Sequence, residues 1–118
     1  MQVNTDPDNQ VQAFVNFLQF EKRYSAHTVL AYSKDLETFF AYLDKTYGQV
    51  KPADITHSFI RSWLADGKQT LNWDSRTINR KISTLKSYFK YLMMQGHIQQ
   101  SPMAKIIAPK TAKKLPAF

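Results

Sequence analysis

The chain has 118 residues, with 16 Lys and Arg against 9 Asp and Glu and a formal net charge of +7. That length suffices for one domain that buries about two-thirds of its unfolded surface. It has no Cys, which excludes disulfides, thiolate metal sites and thiol nucleophiles, and neither a secretory leader nor a membrane-length apolar run is read, so a soluble cytoplasmic protein is expected.

Gly and Pro fall between periodic segments and no strand-like alternation is present, which predicts an all-α domain. Asp6 as N-cap and Pro7 in the first turn open a helix through VQAFVNFLQFEK, with Val11, Phe14, Phe17 and Leu18 on one face. Ser25 caps a second helix, HTVLAYSKDLETFFAYLDKTY, and Tyr24 before it is placed to staple on Val29. Val29, Tyr32, Leu36, Phe39, Leu43 and Tyr47 form its core stripe, and Gly48 stops it. A third helix is capped by Thr56, carries Ile60, Trp63 and Leu64 inward and ends near Gly67, with KQTLNW as a connector. The fourth starts at Asp74 or Ser75 and runs to a Gly96 stop, with Ile78, Ile82, Leu85, Phe89 and Leu92 on its core side. The remainder, HIQQSPMAKIIAPKTAKKLPAF, has linker composition, room for one helical turn at PMAKI, and too few large apolar residues for a core of its own.

The charge is unevenly placed along these elements. Residues 1–74 hold seven basic and nine acidic side chains, a sum of −2, whereas residues 75–118 hold nine basic and none acidic, a sum of +9. Either a solvated basic tail or a polyanion-binding region has this distribution. On a helical wheel Arg76, Arg80, Ser83, Ser87 and Lys90 lie opposite the apolar stripe of the fourth helix, with Asn79 and Lys86 on one flank. Ordinary solvated faces interleave Glu with Lys. This one offers donors alone, as a nucleic-acid-reading face does. Ser25, His27 and Thr28 open the second helix, where a phosphate can approach the positive end. His27, His57 and His97 stand on separate segments without metal-ligand spacing, and there is no Gly-rich phosphate loop. No metal, cofactor or catalytic residue is expected.

SAHTVLAYSKDLETFFAYL resembles the second helix of the N-terminal domain of tyrosine recombinases of the phage integrase and Xer group, through Ser25, Thr28, Tyr32, Asp35, Leu36, Phe39 and Leu43. The fourth helix is similar to that family's Arg-x-x-Ser-x-Leu-Arg-x-Phe-Tyr pattern through Arg80, Ser83, Leu85, Lys86, Tyr88 and Phe89. Ser101-Pro102, Pro109-Lys110 and Leu115-Pro116 resemble its interdomain segment. His27, Lys86 and Ser101 depart from the usual Asn, Arg and Asn or Asp.

The resemblance implies a four-helix SAM-like core-binding bundle that forms one half of a clamp around duplex DNA, helices two and four facing the DNA. Residues 1–5 are then a flexible N-terminus, 6–100 the DNA-binding domain and 101–118 a basic extended linker toward a catalytic domain that the chain lacks. That makes it a truncated or natural fragment, monomeric when isolated, without strand cleavage of its own. Expected DNA-binding residues are Ser25, His27, Thr28, Arg76, Asn79, Arg80, Ser83, Lys86, Lys90, Lys105, Lys110, Lys113 and Lys114. Double-stranded DNA and further recombinase subunits are the expected partners, with no membrane. The alternative is a helical protein-interaction bundle with an incidental basic tail.

Overall fold

The computed structural model describes residues 7–108, with side chains from Gln10 onward. Four α-helices account for most of it: α1 (Pro7–Asn16), α2 (Ala26–Tyr47), α3 (His57–Thr70) and α4 (Ser75–Met94). There is no strand among the described residues.

Local chemistry sets most of the boundaries. Ser25 has extended backbone and its hydroxyl accepts from the Thr28 amide, satisfying one orphan donor of α2. Asp74 does the same for α4 by accepting from the Thr77 amide at 2.8 Å. Gly48 and Gly96, at φ +83° and +79°, supply the left-handed backbone beyond α2 and α4.

Several expectations change. The predicted first helix is not continuous: α1 gives way at Phe17 to a π-helical turn, Phe17–Glu21, in which the Lys22 amide bonds to the Phe17 carbonyl. Thr56 stands at the N-cap of α3 with extended backbone, but its side chain makes no cap hydrogen bond. Helix α3 also runs past Gly67 to Thr70, taking Lys68, Gln69 and Thr70 out of the predicted connector. Gly67 is buried within the helix because Trp73 folds back onto it: a Cβ there would lie 1.9 Å from Trp73 Cε3. Asn72, left-handed at φ 58°, makes that reversal, and the Leu71 and Trp73 amides both bond to the Gly67 carbonyl.

The core is one cluster in which Phe14, Leu18, Leu36, Phe39, Leu43, Ile60, Trp63, Leu85, Tyr88, Phe89 and Leu92 are all buried. Aromatic edges knit the helices in pairs. Phe14 of α1 meets Tyr88 of α4 at 5.4 Å, and Phe39 of α2 meets Trp63 of α3 at 4.9 Å between ring centres. Tyr24 and Tyr32 meet with their rings perpendicular, 6.1 Å between centres. Beyond α4 the described part of the segment joins this core. A 3₁₀ turn, Pro102–Lys105, with the Ser101 hydroxyl accepting from the Met103 amide, buries Met103 and, just after it, Ile106. Residues 1–6 and 109–118, with the expected Asp6 cap, lie outside the described residues.

Candidate nucleic-acid interface

Helices α2 and α4 run side by side. Asp35 of α2 reaches Arg80, Lys81 and Thr84, and Tyr32, one turn earlier, lies beside Ser87. The order 35 then 32 on α2 against 80 then 87 on α4 makes the two helices antiparallel. Tyr24, Lys90, Tyr91 and Met94 continue the trend, sharing a groove of about 200 Å³ with Phe14, Phe17 and Lys22. The N-terminal turn of α2 therefore lies toward the Lys90 end of α4.

On α4 the exposed side chains Arg76, Arg80, Ser83, Lys86 and Lys90 follow at steps of four, three, three and four. At 1.5 Å per residue this stripe is about 21 Å long, more than the roughly 12 Å width of a major groove. Asn79 and Ser87 are half-buried on its flanks. At α2, His27 is exposed as expected, while Thr28 is half-buried, its hydroxyl accepting from Ser25 at 3.0 Å. The cap of α2 is neutral, whereas Asp74 places a carboxylate at the start of α4, so of these two N-termini the first is the better seat for an anion. Lys105 is exposed on the 3₁₀ turn, and Lys110, Lys113 and Lys114 lie outside the described residues.

The expectation that this face meets no carboxylate is corrected by Asp35, which is only 1% exposed beneath it. Its Oδ2 accepts from Arg80 Nε at 3.1 Å and Thr84 Oγ1 at 2.8 Å, and its Oδ1 from Arg80 Nη2 at 2.7 Å and Lys81 Nζ at 2.8 Å. Burial alone pushes this carboxyl up; the hydrogen bonds from Arg80, Lys81 and Thr84 outweigh it and hold the group below the usual carboxylate range. The same bond to Asp35 raises Arg80 above the ordinary guanidinium value. Lys81 is buried too, its ammonium 4.5 Å from the Trp73 ring centre and 5.5 Å from that of Trp63.

Lys81 and Thr84 were not among the expected site residues. A signal existed for the ion pair. Lys81 falls on the stripe of Ile78, Ile82 and Leu85, and Asp35 on that of Tyr32, Leu36 and Phe39, so opposite charges on the core sides of two helices imply a buried pair. Among the described residues no group of three or more His, Cys, Asp or Glu could hold a metal ion, and no helix is long and apolar enough to cross a membrane.

Comparison with known proteins agrees with this architecture. Residues 11–96 match the family described as phage integrase, N-terminal SAM-like domain. The tyrosine recombinase XerC of Oceanobacillus iheyensis is 36% identical over 109 residues, covering 92% of this chain and 35% of the relative. The tyrosine recombinase XerD of Listeria monocytogenes is 36% identical over 106 residues, covering 90% of this chain and 35% of its own. Among solved structures, the integrase from mycobacterium phage Brujita superposes with a TM-score of 0.75 at 30% identity over 92% of this chain and 35% of that one. The chain thus spans about a third of the length of the relatives it matches. With four helices around one core among its described residues and matched over most of its length, the chain belongs to the phage integrase N-terminal SAM-like domain family.

Proposed function

We propose that this chain is the DNA-binding module of a site-specific tyrosine recombinase, cradling one side of a duplex with α2 and α4 and leaving strand cleavage to the remainder of the protein. The observation that carries the proposal is the exposed stripe of Arg76, Arg80, Ser83, Lys86 and Lys90, in which no acidic side chain is exposed. Arg76, Asn79, Arg80 and Ser83 approach base edges. Lys86, Lys90 and the Ser25, His27 and Thr28 turn hold phosphates, and Lys105 with Lys110, Lys113 and Lys114 tracks the backbone beyond. The helical bundle, with Met103 and Ile106 packed into its core, serves as the binding unit, and the chain after Ile106 as the tether to the catalytic part. Double-stranded DNA and further recombinase subunits are its partners, and the cytoplasm its place.

Affinity of a lone module of this kind falls in the range of ~10⁻⁴ to 10⁻⁶ M. With about five phosphates neutralised, log K falls against log salt with a slope near −4 to −5. Fluorescence anisotropy with a labelled duplex between 50 and 200 mM salt reads both. Lys90→Glu and Arg76→Glu each weaken binding more than Lys68→Glu on α3, and equal losses would place the interface elsewhere. Binding without salt dependence, or none at 50 mM salt, sinks the proposal. The rival protein-interaction reading draws on exposed Phe20 and Met94, the latter lining the groove beside Lys90. Chemical-shift mapping with duplex DNA separates the two, since the rival yields no coherent patch on α2 and α4.

A further inference from the structure

The four hydrogen bonds to Asp35 leave its carboxylate fully engaged, yet the three charged groups of the cluster are not equally placed. The Arg80 side chain is 46% exposed, against 7% for Lys81 and 1% for Asp35. One carboxylate facing two cations leaves one positive charge in the cluster, and the cation that reaches water is Arg80. Lys81, enclosed by Asp35 and two indole rings, neutralises the buried anion from within. Asp35 grips Arg80 along its Nε and Nη2 edge, using two of five N–H donors. The edge formed by Nη1 and Nη2 keeps its two-pronged geometry, which matches a phosphate or the O6 and N7 of guanine. A free arginine loses its rotamer freedom on binding; this one has already lost it on folding.

Resting on the DNA-binding reading above, we infer that Asp35, Lys81 and Thr84 are positioning residues that hold Arg80 at the duplex with its charge uncompensated, so that Lys81, too buried to touch DNA, sets part of the affinity. Two variants of the 118-residue chain test this by duplex titration. Asp35→Asn raises the net charge by one, so long-range attraction alone tightens binding, whereas loss of the fork weakens it, by about tenfold for a lost bidentate contact. The protected Arg80 Nε–H signal in a proton–nitrogen correlation spectrum disappears with it. Lys81→Met keeps side-chain length and the Asp35–Arg80 fork but turns that pair neutral. The salt slope then becomes shallower by about 0.9, one phosphate's share, while the Arg80 Nε–H signal persists.

Circular dichroism establishes that each variant is folded, and Lys81→Met decides alone if Asp35→Asn is not. Asp35→Asn binding as tightly as the wild type or tighter overturns the inference, as does an unchanged slope in Lys81→Met. No salt-dependent binding by the wild type removes the DNA-binding reading and this one together. Wild-type binding with unaltered variants removes this one alone.

Discussion

A carboxylate that is 1% exposed has lost nearly all its hydration, and only the hydrogen bonds it accepts make ionisation favourable there. Because the balance lowers the folded-state pKa of Asp35, its stabilising contribution is complete above the unfolded carboxylate value of about 4 and is lost as pH falls through the folded value. Thermal unfolding of the wild type therefore becomes steeply acid-sensitive below about pH 4, and Asp35→Asn, less stable at neutral pH, is flatter in that window. Equal acid sensitivity in the two proteins would assign the effect to other groups, such as the exposed cap Asp74, which is lowered by the Thr77 amide. Tyr88 is the opposite case. Burial pushes its hydroxyl far above the ordinary phenol range, and that hydroxyl has no hydrogen-bond partner among the described residues. Tyr88→Phe should leave stability to urea unchanged or raise it by up to about 1 kcal/mol, and a clear loss would reveal a hidden partner. Ser25 and Asp74 were legible as caps because the amide each serves is three positions away. Of the Asp35 cluster, only the two opposite charges on core stripes are legible; which residues meet is not, because the partners are 45 to 49 positions distant and no local pattern joins them.

At the scale of elements, periodicity carried the four helices and most of their buried faces, because each face repeats within a few residues. Two features escaped it: the π-helical turn after α1 and the continuation of α3 through Gly67. Glycine is a fair stop signal when the helix ends there, but here the missing side chain serves a long-range need, making room for the Trp73 ring. The two roles predict opposite mutational signs. In an exposed helix interior Gly→Ala adds about 1 kcal/mol of stability. At Gly67 the new methyl collides with the indole, so Gly67→Ala should cost about 1–3 kcal/mol, as overpacked sites do. Urea denaturation decides, and a stabilised variant would mean that Trp73 swings aside without loss. Displacing Trp73 also loosens the cation–π contact on Lys81, so the cost at Gly67 is expected to couple to the Asp35 cluster in a double-mutant cycle.

For the molecule as a whole, the physical boundary at stake is the point where the packed helical unit ends. Composition placed that point near residue 100, since residues 101–118 are rich in Pro and Lys and poor in large apolar side chains. Burial argues for a later point. Met103 is 4% and Ile106 9% exposed within the main core, the 3₁₀ turn that carries Met103 packs against both α3 and α4, and Ile107 is 90% exposed. A buried side chain of this kind completes a core even when its neighbours read as linker, and composition averaged over twenty residues conceals two anchors. Met103→Ala should therefore destabilise the chain by about 2–4 kcal/mol, the cost of a buried methionine truncation. A chain ending at Gln100 should lose more, because Ile106 goes as well, and both losses appear as lower urea midpoints. If the shortened chain unfolds at the wild-type midpoint, the unit closes at α4 and the anchors are incidental. If it is destabilised as expected, the packed unit extends to Ile106, and a change in the 3₁₀ turn is felt on α4, the helix that carries the basic stripe.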